Sequence, residues 1–481
     1  MKRDFLINIV FLLGINLLIK PVYIFGIDRT VQNLVGEGDY GVYFTLLSLI
    51  YMLQAVNDLG IQNFNNRNIA QHRHLLDKFF SNLILLKVFL SIGYGLLLIL
   101  VAWWLDYTSS QERFILLILW LNQVIISFLL YFRTNISGLG FYRTDSILSA
   151  LDKLLMIGIC GWLILYHRES FRIEWFVVAQ TISVALTALT AFLLVHRQLR
   201  LPFRFRWQPA LLVVTLRRSL PFALIILLMS IYTRIDAVML EQISPRGFLE
   251  NDIYAASYRL LDAFNMVGFL FAGLLLPIFS RMLKEGEPVS DLVRTSAQML
   301  LAGAIALSVS IIFFREEIMQ LLYVRATPYW AAVLVPLMLS YIAVCGNYIY
   351  GTLLTANGSL RRMNQLFVVG IVVNVVLNLV LIPRYGALGA GTATFITQSA
   401  VLIAQIALAQ CLVGLRRSWG MPLRLLALSV LVVLTAYGLH DRSGEQWYWW
   451  FGASLLCAVG YALLLRLIDV RDLPAMLRGR A

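Results

Sequence analysis

Charge is scarce in this chain of 481 residues: Asp, Glu, Lys and Arg make up 14% of it, against 60% hydrophobic residues. A typical soluble domain is about a quarter charged, so a water-soluble globular fold is excluded. Long polar intervals are missing too, and apolar runs of membrane-spanning length recur from one end of the sequence to the other. Only four cysteines occur, Cys160, Cys345, Cys411 and Cys457, and all sit inside apolar runs. They read as small hydrophobes, which argues against a disulfide framework, a metal centre or redox chemistry. None of the five histidines falls in the middle of an apolar run. With the connections between runs short as well, neither enzyme chemistry nor a cofactor is expected.

What remains is an all-α integral membrane protein. Met1-Lys2-Arg3 and the apolar run behind them have the start of a secretory signal, but the run is too long and lacks a small-residue cleavage pattern, so it is expected to stay as the first membrane helix. At about 20 mostly apolar residues per span, helices are predicted near 4–27, 40–63, 77–104, 113–132, 144–166, 173–196, 214–241, 253–280, 294–314, 328–355, 364–383, 387–413, 421–440 and 447–466. These are fourteen transmembrane helices. The net charge of +13 then reports orientation and contact with anionic lipid rather than nucleic acid. Basic residues crowd into alternate segments, such as Arg67, Arg73 and Lys78 or Arg200, Arg204 and Arg206, while the intervening segments hold far fewer. By the positive-inside rule both termini are expected to be cytoplasmic, with Trp103, Trp104, Trp330, Trp447, Trp449 and Trp450 in an outer aromatic belt.

The sequence also repeats itself. Asp39-Tyr40-Gly41-Val42-Tyr43 corresponds to Asp252-Ile253-Tyr254-Ala255-Ala256, and Ser137-Gly138-Leu139-Gly140 to Thr355-Ala356-Asn357-Gly358, at nearly the same offset. Two homologous six-helix lobes are therefore expected, 1–197 and 214–413, joined by an interfacial basic and aromatic linker at 198–213. Two further helices and a cytoplasmic tail follow at 414–481. An even number of spans per repeat keeps the lobes in one orientation.

Ionisable residues inside spans cost about 2.5–3.5 kcal/mol each on insertion scales, so they mark a bundle interior or a watered path. Lys20, Arg234 and Arg259 share a depth of roughly 10 Å below the predicted outer surface, and Lys87 and Lys153 lie about 13 to 15 Å above the inner one. The acids are Asp152, Asp236 and Asp262, with Asp58 nearly interfacial. Arg259 and Asp262 are three apart and can pair on one helix face, whereas Arg234 and Asp236, and the adjacent Asp152 and Lys153, are expected to point apart. Two readings stay open: internal neutralisation, or cations lining a cavity for an anionic substrate such as a phosphate or pyrophosphate. The candidate substrate-binding residues are Lys20, Lys87, Lys153, Arg234 and Arg259, with Asp58, Asp236 and Asp262 in coupling or charge pairing. Gly386-Ala387-Leu388-Gly389-Ala390-Gly391 offers a small-residue face for close helix contact, and Asn374 and Asn378 share a face.

The stretch from Asn374 through Asn378, Pro383, Gly386 and Gly389 to Thr394 resembles a signature of the polysaccharide transporter branch of the multidrug/oligosaccharidyl-lipid/polysaccharide exporter superfamily. Asn57-Asp58-Leu59-Gly60 is similar to that family's second-helix end. The resemblance spans the whole chain. It implies a Wzx-type flippase of the inner membrane, carrying undecaprenyl-pyrophosphate-linked oligosaccharide by alternating access for O-antigen, capsule or exopolysaccharide assembly. Membrane lipid, H+ or Na+ as coupling ion, and a polysaccharide polymerase with its assembly proteins are the implied partners, with no nucleic acid. The alternatives are a drug/cation antiporter, in which buried acids should outnumber buried bases, a lipid II flippase, and a multi-span glycosyltransferase or polymerase.

Overall fold

The computed structural model describes residues 18–62, 76–138, 141–199, 209–415 and 420–468, and their regular structure is helical throughout. Most of the first predicted span and of the 198–213 linker lies outside those residues. The described end of the first span, α1, widens after Pro21 into a π stretch, Val22–Asp28, and tightens again into Arg29–Leu34. A proline cannot supply the regular backbone bond, and a π turn is one way for a helix to absorb the break.

The long helices that follow are α2 (Asp39–Asp58), α3 (Leu76–Trp104), α4 (Ser110–Gly138), α5 (Tyr142–Tyr166), α6 (Ile173–Leu199), α7 (Pro209–Ile243), α8 (Gly247–Glu285), α9 (Ser290–Phe313) and α10 (Pro328–Ala356). A single run, Leu360–Val413, holds two spans, α11 before Gly386 and α12 after it, and α13 (Gly420–His440) and α14 (Trp447–Leu464) complete the set. Gly386 alone leaves helical geometry, at φ 54° and ψ −128°. Only glycine occupies that region without strain, and the turn returns α12 so closely that a Cβ on Gly389 would collide with the carbonyl of Leu381. The fourteen-helix membrane architecture is that expected, but its ends differ. α2 stops at Asp58 rather than near 63, because Leu59 and Gly60 both take left-handed backbone angles. α4, α7 and α8 run several residues past their apolar segments, since a helix satisfies its own backbone in headgroups as well as in hydrocarbon.

Polar side chains in the spans follow the same accounting. Thr45, Thr134, Ser183, Thr187, Thr392 and Thr397 each donate to the carbonyl four residues back. A hydroxyl satisfied within its own helix needs no partner from the lipid.

Two compact units divide the chain, Met1–Ala255 and Ala256–Ala481, with the break inside α8. In the first, α2 runs along α7 and also touches α3 and α4, while α4 and α5 pack on α6. In the second, α10 packs on α9 and on the α11–α12 run. Gly391 brings α12 to van der Waals range of Leu337 and tight against Pro336, as the small-residue face predicts. Asn378 donates to Asn374 at 3.0 Å within that run. α13 and α14 attach to α9 through a small-residue cluster that includes Ala302, Ala306, Ala436 and Ala458, with the Ser310 and Ser454 hydroxyls 2.9 Å apart.

Candidate functional site

The intramembrane charges fall into groups with different surroundings. The deepest is a closed network among α2, α3 and α4. Lys87, 1% exposed, puts its Nζ 2.5 Å from Asp58 Oδ1 and donates to Ser127 Oγ at 2.8 Å. The second carboxylate oxygen of Asp58 accepts the Gln62 amide at 3.0 Å, just past the helix end at Leu59. One turn further, Asn57 accepts from Ser91 at 2.9 Å and donates to the Gln123 carbonyl, and Gln123 donates to Gln54. Lys87 is thus neutralised by a carboxylate inside the helix packing. Spacing alone could have flagged the network, because Gln54 with Asn57 and Asp58, Lys87 with Ser91, and Gln123 with Ser127 each lie three or four apart on one helix face.

A second group is more open. Lys20, Lys153 and Arg234 are all half-buried. Lys153 Nζ lies 3.2 Å from Asp152 Oδ2 and 4.8 Å from the centre of the Tyr23 ring. The expectation that these neighbours point apart is therefore corrected: a four-carbon side chain is long and flexible enough to fold back along its own helix. Lys20 lies within the electrostatic reach of Lys153, Asp152 and Arg133, and Arg133 itself holds Asp145 at 2.7 Å. The Arg234 guanidinium sits 5.3 Å from the centre of the Tyr51 ring, an aromatic partner that reading the charges alone did not single out. Asp236, 2% exposed, accepts a long 3.4 Å bond from Tyr254. In the second unit, Arg259 Nη1 stands 3.9 Å from Asp262 Oδ2. That is the i,i+3 pair expected from the sequence, at a separation too long for a hydrogen bond.

A third group closes the end of the first unit predicted to face outward. Gln32 donates to both the carbonyl and the carboxylate of Asp252, at 2.8 and 2.7 Å. Asn251 bridges Thr45 and the Ala237 carbonyl, at 2.8 and 2.7 Å. Gly41 meets the carbonyl of Phe248 so closely that a Cβ there would collide with it. Beside them Tyr107 donates to Glu241 at 2.7 Å and Gln242 donates to the Leu105 carbonyl at 2.9 Å. Burial first, and then the neighbouring Glu241 carboxylate, hold the Tyr107 phenol well above its ordinary pKa, so it remains a donor. This seam joins α1 and α2 to the α7–α8 turn. Its glutamines and asparagines carry no charge or period that would have singled them out in the sequence.

Residues 6–283, more than half of the chain, match the family described as polysaccharide biosynthesis protein. The chain belongs to that family. Among solved structures, this family member is similar to the lipid II flippase MurJ in an inward closed conformation, at 13% identity and a TM-score of 0.70 over 97% of this chain and 99% of MurJ. It is also similar to an inward-facing multidrug resistance MATE transporter, at 14% identity and a TM-score of 0.63 over 84% of this chain and 97% of that one. A third likeness is to a transporter of the same superfamily from Pyrococcus furiosus, described as having a binding pocket of reversed polarity, at 14% identity and a TM-score of 0.57 over 86% and 96%. Among curated protein sequences none matches the chain. At these identities the likenesses establish the fold, that of the multidrug/oligosaccharidyl-lipid/polysaccharide exporters.

Proposed function

We propose that the chain is a flippase for undecaprenyl-pyrophosphate-linked oligosaccharide repeat units, working by alternating access in the cytoplasmic membrane to supply O-antigen, capsule or exopolysaccharide assembly. One observation carries this reading beyond the family: Lys20, Lys153, Arg234 and Arg259 are half-buried within spanning helices, while Lys87 is buried with its own carboxylate. A half-buried cation facing lipid would be costly, so these four are assigned to a watered path. A pyrophosphate is the substrate group that a spread of such cations suits, because charge-assisted bonds to phosphate are about twice as strong as neutral ones. In this reading Asp236 and Asp262 serve charge balance or coupling to H+ or Na+. Asp58 serves internal pairing with Lys87.

The likeness to MurJ over nearly the whole of both chains favours a second reading, transport of lipid II. A cationic-drug antiporter fits less well, since the open intramembrane charges are mostly basic. Deleting the chain from its native cell separates the three. The proposed function expects surface glycan to fall and its lipid-linked repeat unit to accumulate on the cytoplasmic face, with drug resistance unchanged. Accumulation of lipid II would establish the second reading, and unchanged glycan with lost drug resistance would establish the third.

A further inference from the structure

Outside the charged groups, the first unit carries a lateral groove between α3 and α4. It encloses about 580 Å3, within the range of ligand pockets. Ile92, Leu96, Ile99 and Leu117 form apolar walls that are open to the bilayer, each more than half exposed. The floor is built by a specific exchange of bulk. Gly95 has no side chain, and Trp120 occupies that space, with its indole 2.8 Å from where a Cβ would stand and its Nε1 donating to the Ser91 carbonyl at 3.2 Å.

The groove has one polar end, at the α3–α4 connection, where Thr108 and Arg113 line it. The nearest carboxylate in sequence is engaged elsewhere. Glu112 accepts the Ser109 amide at 3.0 Å and its own amide donates to Ser109 Oγ at 3.2 Å, a reciprocal capping box at the start of α4. Arg113 uses only Nε, on the Ser109 carbonyl at 3.4 Å, and makes no ion pair among the described residues. A cavity in the second unit offers a contrast: Arg315 there donates to the Ile312 carbonyl at 3.0 Å and has Glu316 3.9 Å away.

We propose that this groove binds one membrane phospholipid, with its phosphate on Arg113 and one acyl chain laid over Gly95 and Trp120. Two observations select this occupant. The unpaired guanidinium at the mouth is complementary to a phosphate and can hold it bidentately. The groove's length matches one acyl chain: from Ile92 to Trp103 α3 rises roughly 17 Å, close to the ~15 Å of one hydrocarbon leaflet. A lipid held there lies against the Tyr107 end of the α3–α4 connection, which itself bonds Glu241 of α7.

The test uses the full chain purified in detergent, delipidated and titrated with phosphatidylglycerol, with bound lipid counted by native mass spectrometry. The wild type is expected to retain one phosphatidylglycerol at concentrations where Arg113→Ala needs at least tenfold more. Leu96→Trp, which fills the groove from its exposed wall, should lose the lipid equally. Arg113→Lys should retain part of the affinity, and Arg168→Ala, an arginine at the α5–α6 connection, should behave as wild type. Equal retention by wild type and Arg113→Ala would overturn the proposal, as would equal loss in Arg168→Ala. Preferential retention of an added polyprenyl phosphate over phosphatidylglycerol would also overturn it. Thermal unfolding of each variant without lipid identifies a misfolded one, and because Arg113 and Leu96 are exposed in separate helices, either variant alone suffices for the comparison.

Discussion

Lys87→Met is expected to remove most of the protein from the membrane fraction. The substitution deletes the buried half of an ion pair whose carboxylate is 24% exposed, and leaves Asp58 with the Gln62 amide as its remaining hydrogen-bond donor from the pair's surroundings. Breaking a fully buried pair costs about 3–5 kcal/mol; with Asp58 24% exposed that is the upper bound here, and a membrane protein of ordinary marginal stability loses much of its folded population at such a cost. Asp58→Asn with Lys87→Met removes both charges and keeps the shapes, so the double variant should recover much of the lost abundance. With Asp58→Asn alone as the fourth member, the pair's coupling energy is read from the cycle. Equal abundance in wild type and Lys87→Met, measured by immunoblot of membranes and by thermal unfolding in detergent, would show that the pair is not structural. Recovery of abundance and of glycan export together in the double variant would place Lys87 outside substrate binding.

Arg234→Ala is expected to behave in the opposite way, with normal abundance and lost export. Its guanidinium is half-buried and sits 5.3 Å from the centre of the Tyr51 ring. Hydrogen bonds to a charged group contribute about 1.5–3 kcal/mol, so losing those made to a crossing pyrophosphate should slow export roughly tenfold or more. Arg234→Lys should rescue in part, because it restores the charge without the planar bidentate geometry. Arg259 needs a further control, since Asp262 stands 3.9 Å from it. Arg259→Ala should lose export, and adding Asp262→Ala should not restore it if the arginine serves the substrate. Full restoration would mean that Arg259 only neutralises Asp262.

The contrast between Lys87 and Arg234 shows how far the sequence could be read. The spans were legible because lipid admits little besides apolar helix of sufficient length, and that constraint acts residue by residue along the chain. Helix ends were less so: α2 stops at Leu59 through backbone angles, and the division between α11 and α12 comes down to Gly386. Depth within the predicted spans singled out the ionisable residues as improbable, but depth does not reveal partners. Lys87 meets Asp58 across 29 positions of chain, and Lys153 folds back on its neighbour, so which cations are neutralised was decided by helix packing and side-chain length. The outer seam was hidden for a similar reason, since Gln32, Asn251 and Thr45 are ordinary polar residues until the helices bring them together. Within the stretch from Asn374 to Thr394, Gly386 makes the tight turn and Gly391 the close helix contact, so the small residues singled out there have a structural use.

Purified protein reconstituted into liposomes tests the central claim most directly. The liposomes carry undecaprenyl-pyrophosphate-linked oligosaccharide, and the fraction of glycan accessible to a membrane-impermeant glycosidase is followed with time. The account predicts that the wild-type chain makes the inner pool accessible, and that Arg234→Ala at equal protein density leaves it protected. Accessibility no faster than in protein-free liposomes, while the same preparation moves a cationic dye across the membrane, would contradict it.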